Sequence, residues 1–328
     1  GGQMQAKVVG EGGNLGCTQL GRIEYCASGG RMNTDFIDNV GGVDCSDNEV
    51  NIKILLNGLV SNGDLTVKQR NELLYSMTDE VGDIVIGNHN RQTQSLSISS
   101  YGAANMLKEQ IRFMQGLEKA GSLDRSLEFL PSDEDLAERQ ADGRGFTRPE
   151  LAVLLAYGKM VLKEQLMIDE ITTNSYHSKL LAGAFPKALQ ARYSAEMENH
   201  PLRSEIIATQ LANKIVDDMG LNFVHRMTDE TGATVDEIAH SYSIASEVFG
   251  LRDVFVKIDA LNNKLDAATQ TELLYQTRRS VRRVTRWFLR NRDNSMSIEE
   301  TIAFYKPQFE RIDSSMFDLL VKEDVASI

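Results

Sequence analysis

Beyond about residue 50, apolar residues recur at intervals of three and four almost to the end of the chain, and only five prolines stand anywhere in its 328 residues. That spacing lays an apolar stripe along one side of an α-helix, which must then be buried against a neighbour. It predicts helices over 47–59, 67–81, 84–99, 103–120, 133–139 and 148–166, and further ones over 178–197, 202–219, 235–249, 251–263, 267–291 and 298–320. Thr147, Pro149 and Glu150 have the form of a capping box with proline in the first turn, and Thr234 with Glu237 repeats the capping pattern. Gly121, Gly220 and Gly250 each follow a periodic stretch, where a left-handed cap would end a helix. No unit of fixed length recurs, so a helical bundle is the simpler expectation than a solenoid. The acidic run Pro131-Ser132-Asp133-Glu134-Asp135 and the loop Ala141-Asp142-Gly143-Arg144-Gly145 are expected to be mobile connections.

The first fifty residues have a different texture, rich in glycine, asparagine and acids. Glu11-Gly12-Gly13-Asn14 follows the apolar pair Val8 and Val9, and Asp38-Asn39-Val40-Gly41-Gly42-Val43-Asp44-Cys45-Ser46 runs into a helical pattern. Each reads as a strand end that delivers backbone and amide groups to a ligand, because ligands of open α/β sheets sit beyond the carboxyl ends of strands. Glycine pairs let backbone approach closely. Asn14 and Asn39 each carry a donor and an acceptor, enough to read a sugar hydroxyl or a carboxamide. Ser46 stands where a helix N-cap or an anion-binding hydroxyl is expected. The plainer alternative is that these glycines only make turns.

These residues resemble the end of the coenzyme-binding domain of amino-acid dehydrogenases of the glutamate dehydrogenase type, and most closely the very large NAD-specific enzymes of bacteria. Glu11-Gly12-Gly13-Asn14 is similar to that superfamily's EGAN loop, with Gly13 in place of alanine. Asn39, Gly41, Gly42, Val43 and Ser46 match its NAGGVxxS segment, and of the GPTT that follows EGAN in smaller relatives only Gly16 and Thr18 remain. Gly145-Phe146-Thr147-Arg148-Pro149-Glu150-Leu151-Ala152 also looks like the large class. The resemblance implies a mainly α chain: a C-terminal remnant of a Rossmann-type α/β coenzyme domain over residues 1–50, then an all-helical domain over 51–328. It implies NAD as cofactor, bound through Gly12, Gly13, Asn14, Asn39, Gly41 and Gly42, and L-glutamate or 2-oxoglutarate against Val43 and Ser46. The glycine-rich turn that seats a pyrophosphate is missing here, and the lysine and aspartate that work on substrate in this family lie upstream. No catalytic residue is therefore assigned, and the chain alone is expected to have no turnover, the rest of its own full-length chain and further subunits being its partners.

Composition narrows the alternatives. No apolar run approaches the roughly 20 residues of a bilayer span and no secretory signal opens the chain, so a cytoplasmic protein is expected. A net charge of −12 disfavours nonspecific nucleic-acid binding. Cys17, Cys26 and Cys45 lack disulfide or zinc spacing and are expected to be free thiols. The histidines at 89, 177, 200, 225 and 240 show no metal-binding pattern and are expected at the surface or in caps. Arg278, Arg279, Arg282, Arg283, Arg286, Arg290 and Arg292 crowd one helix whose buried stripe is expected through Leu274, Val281, Val284 and Phe288, so that the arginines flank it and pair with neighbouring acids. The segment Asn88-His89-Asn90-Arg91-Gln92 is polar enough to face a cleft or a subunit. Against the enzyme stand two alternatives, a non-catalytic helical interaction or regulatory module and a nucleic-acid binder that uses the arginine helix.

Overall fold

The computed structural model describes residues 2–319, with side chains as far as residue 312. The backbone gathers into two compact units, Gly1–Arg226 and Met227–Ile328.

The first unit opens with β1 (Val8–Val9), α1 (Gln19–Ala27) and β2 (Arg31–Met32). The strands pair in parallel, Val8 opposite Arg31 and Val9 opposite Met32, and α1 is the crossover such a pair requires. Thr18 starts α1 by accepting the amide proton of Gly21. After β2, α2 (Asp35–Asp38) leads through Asn39 into α3 (Val40–Asn62). The second glycine segment is therefore helix where a loop was expected. Gly41, Gly42 and Val43 lie in the first turn of α3, and Ser46 is inside the helix rather than at its N-cap, its hydroxyl donating to the Gly42 carbonyl at 3.2 Å. Two glycines cost a helix about 2 kcal/mol against alanine. Burying the side chains of Ile52, Leu55, Leu56 and Leu59 from the same helix returns about 1.5–3 kcal/mol each, so packing overrides propensity. The division expected after residue 50 falls inside α3.

The unit continues with α4 (Val67–Ser76), α5 (Thr78–Tyr101), α6 (Leu107–Lys119), α7 (Asp133–Ala141) and α8 (Arg148–Gln165). It then runs through α9 (Asp169–Thr172), α10 (Ser175–Gly183), α11 (Lys187–Gln190), α12 (Ser194–Glu198) and α13 (Arg203–Met219), after which comes α14 (Phe223–Thr231). One apolar cluster joins Ile52, Leu56 and Leu59 of α3 to Phe185, Leu189 and Ile207. The helix expected over 178–197 is three short ones, because Phe185 turns into the core and Pro186 cannot continue α10. The expected mobile connections are tied down. Ser132 forms a capping box with Asp135 at the start of α7, Arg125 pairs with Asp133 at 2.7 Å, and a side chain on Gly145 would lie 2.5 Å from the backbone of Ala103. The capping box of Thr147 and Glu150 forms as the sequence predicts.

In the second unit, α15 (Val235–Val248) packs on α17 (Ala267–Asn291) and α18 (Ile298–Leu319), with α16 (Leu251–Asp259) between α15 and α17 in the chain. Thr234 and Glu237 cap α15 reciprocally. Gly250 takes the left-handed conformation, with φ 56° and ψ 40°, whereas Gly220 ends α13 with φ 99° and ψ 161°, a conformation open to glycine but not the expected left-handed cap. The buried face of α17 runs through Leu274, Arg278, Val281, Thr285 and Phe288. Arg278 thus lies within the stripe rather than beside it, and Val284 is half-buried. Arg286 pairs with Glu230, the expected kind of interhelix ion pair. Residue 320, where α18 was expected to end, lies outside the described residues. Among the described residues no helix is long and apolar enough to cross a membrane.

Candidate functional site

The loop after β1 is built around a buried carboxylate. Glu11 and Arg22 form a two-pronged ion pair, Nε to Oε2 and Nη2 to Oε1, both at 2.8 Å, with side chains 6% and 5% exposed. Oε1 also accepts the Cys17 amide at 2.9 Å, so one side chain closes the loop from both ends. Two aspartates of α2 complete the frame: Asp38 accepts the Glu11 amide and Asp35 the Leu15 amide, each at 2.9 Å. Leu15 sits at φ 57°, a conformation that hydrogen bonds on both sides of it help to hold.

This frame brings together the two segments singled out in the sequence. Asn39 donates its side-chain amide to Asn14 Oδ1 at 2.6 Å. Both amides keep further donors and acceptors, and the pair is solvent-exposed. Gly12 and Gly13 have open space where a side chain would stand, with no atom within 4 Å. On α3, Val43 and Ser46 are exposed one turn apart, and Val50 continues the same strip. Gly41 and Gly42 lie in the turn between that strip and Asn39. The eight predicted residues thus lie on the loop after β1, at the cap of α3 and in its first two turns.

Sequence reading missed the groups that hold them. Arg22, Asp35 and Asp38 lie up to 27 residues from their partners, and a lone charge in a polar stretch gives no sign of being buried. Asn88 and Arg91, in contrast, do face a cleft. A cavity of about 550 Å³ opens between α3, α5 and α13, lined among others by Asp44, Asn48, Asn88, Arg91, Glu205 and Gln210. Asn88 donates to Asp44 at 2.7 Å. Burial, with Asp44 nearby, raises the carboxyl of Asp47 above its ordinary range. The three cysteines are free, and burial pushes the Cys26 thiol up. Two of the histidines, expected at the surface or in caps, leave the surface. His177 is buried, and so is His200, whose Nδ1 accepts the Leu202 amide while Nε2 lies 3.1 Å from the Asn51 carbonyl.

The frame carries a pH dependence. Hydrogen bonds from Arg22 hold the Glu11 carboxyl below its ordinary value of 4.5, outweighing its desolvation, with the Cys17 amide adding to the effect. A depressed folded-state value means that stability is fully present above the unfolded value and is lost as pH falls through the folded one. Urea midpoints should therefore fall more steeply below about pH 4.5 in the wild type than in Glu11→Gln. Parallel profiles for the two proteins would contradict the assignment.

Comparison with known proteins identifies the family. Residues 1–99 match the family described as bacterial NAD-glutamate dehydrogenase, catalytic domain, and residues 143–328 match glutamate dehydrogenase, C-terminal. The NAD-specific glutamate dehydrogenase of Pseudomonas aeruginosa is 47% identical over 318 residues, covering 97% of this chain and 20% of that protein. The protein of the same name from Halomonas elongata is 47% identical over 314 residues, 96% of this chain and 19% of that one. The one from Mycobacterium tuberculosis is 38% identical over 326 residues, 99% and 20%. The chain spans about a fifth of the length of these curated relatives. With a catalytic-domain match at its start and a C-terminal match over more than half its length, the chain belongs to the glutamate dehydrogenase family.

Proposed function

We propose that this chain supplies one wall of the active site of an NAD-dependent glutamate dehydrogenase, and that it turns over only together with the rest of its full-length chain. The reaction converts L-glutamate, NAD and water to 2-oxoglutarate, ammonium and NADH with release of a proton. NAD, when bound, supplies the hydride acceptor. Asn14 and Asn39 hold the carboxamide or ribose at its nicotinamide end. Gly12, Gly13, Gly41 and Gly42 keep side chains out of the cofactor's way, and Val43 and Ser46 face the substrate. In this reading β1, α1 and β2 are the end of a Rossmann-type coenzyme domain ending near residue 50, and the helices of 51–328 brace it or mediate assembly into a cytoplasmic oligomer.

The observation that carries the reading is the amide pair. Two side chains 25 residues apart meet at 2.6 Å in the open, beside glycines whose surroundings are empty. A carboxamide offers an NH2 that donates and a carbonyl that accepts, which is what such a pair can read. In the full-length protein, Asn14→Ala and Asn39→Ala should each raise the KM for NAD about tenfold, the worth of one well-placed hydrogen bond, without lowering the unfolding midpoint. Ser46→Ala should act on the KM for glutamate instead. Unchanged kinetics with an altered oligomer size would favour a helical assembly module.

A further inference from the structure

Arg148 belongs to the motif Gly145 to Ala152 that the proposed chemistry leaves without a role. It is the first residue of α8, and all three guanidinium nitrogens are committed. Nε donates to Asn33 Oδ1, Nη1 to Ser97 Oγ at 3.0 Å and Nη2 to the Thr93 carbonyl at 3.1 Å. Among the described residues no carboxylate pairs with it directly. A negative charge is reached through Asn33, whose Nδ2 donates to Asp38 Oδ1 at 2.7 Å. The two ends fix the orientation of that amide, since an arginine requires its oxygen and a carboxylate its nitrogen. Asp38 in turn accepts the Glu11 amide through its other oxygen, and it directly precedes Asn39.

We propose that Arg148 is a positioning residue for the cofactor loop, acting through Asn33 and Asp38 on the backbone of Glu11 and on the start of α3. The inference rests on Asn14 and Asn39 being cofactor contacts. Asp38 touches both segments that carry them, so the relay sets the distance between the two amides. It also joins the part of the chain that matches the catalytic domain to the part that matches the C-terminal family, which gives the helical region a share in NAD binding. Burial holds the Arg148 guanidinium below its ordinary range, partly offset by Asp38.

The test uses the full-length protein. Asn33→Leu removes the middle link and leaves the bonds of Arg148 to Ser97 and Thr93 in place; Asn33→Ser is the milder variant should leucine not fold. Without NAD, hydrogen exchange in peptides covering residues 10–18 should quicken about tenfold, the effect of losing one partly buried hydrogen bond. The KM for NAD should rise about tenfold with kcat within about twofold, the signature of lost cofactor binding. Arg148→Gln should do the same, and the double variant no more than the larger single, as members of one network behave. Additive effects, or a lowered melting midpoint with exchange and KM for NAD unchanged, overturn the relay. If Asn14→Ala and Asn39→Ala leave NAD kinetics intact while exchange at residues 10–18 still responds to Asn33→Leu, the cofactor reading fails and the proposal falls with it. Normal responses at Asn14 and Asn39 with none at Asn33 or Arg148 overturn the relay alone.

Discussion

Arg139→Met is expected to lower the unfolding free energy by about 3–5 kcal/mol, the usual penalty for stranding one member of a buried ion pair. Glu150 is 1% exposed and receives two guanidinium bonds from Arg139, at 2.7 and 2.9 Å. The same carboxylate takes the Thr147 amide and hydroxyl at 2.6 and 2.7 Å. Methionine keeps most of the arginine's apolar stem, so packing loss is small and the effect reports the charge. What remains is a carboxylate with a helix cap on one oxygen and nothing on the other, in a place water does not reach. Urea unfolding of wild type and variant measures the loss. Adding Glu150→Gln should return part of it, because a neutral amide costs less to leave half-satisfied than an ion. A loss under about 1 kcal/mol, the range of an exposed pair, would show that Glu150 relaxes to solvent and that the pair is ornamental to the fold.

Thr147 and Glu150 also show what could be read from the sequence. Capping residues sit three apart, so their partnership is local, and both predicted boxes form. Long helices with an uninterrupted stripe, such as α13 and α17, were equally legible. Three kinds of feature were not. The break at Pro186 follows from proline's missing amide, but the apolar spacing on either side outweighed that signal. The helical start at Val40 defies the glycine propensity that a loop assignment relies on, and only the burial of Ile52 through Leu59 explains it. The short α14, with Phe223, Val224 and Met227 at helical spacing, spans too few turns for its period to stand out. At the site, Asn14, Asn39 and the glycines announced themselves by composition. Their frame did not, since the glutamate, arginine and aspartates that build it look in a sequence like any solvated charges, and only tertiary structure says which are inside.

Arg22→Met tests that frame at its centre, and about 3 kcal/mol of destabilisation is expected, the lower end of the range for a broken buried pair. The lower end applies because the cover is a single glycine-rich loop, with bulk water close behind it. The carboxylate of Glu11 would lose both guanidinium bonds and keep only the Cys17 amide, with Asp35, itself 3.3 Å from Arg22, now an uncompensated like charge. Relief comes most cheaply by swinging Glu11 outward, which releases the loop from Glu11 to Cys17 and carries Asn14 away from Asn39. The variant should therefore lose stability and NAD affinity together, whereas Arg139→Met, whose pair lies on α7 and α8, should lose stability first. Arg22→Lys separates charge from geometry: a lysine restores the positive charge but not the two parallel bonds, so stability should recover further than the KM for NAD. If Arg22→Met unfolds no more easily than wild type, the ion pair does not hold the loop, and the meeting of the two amides needs another cause.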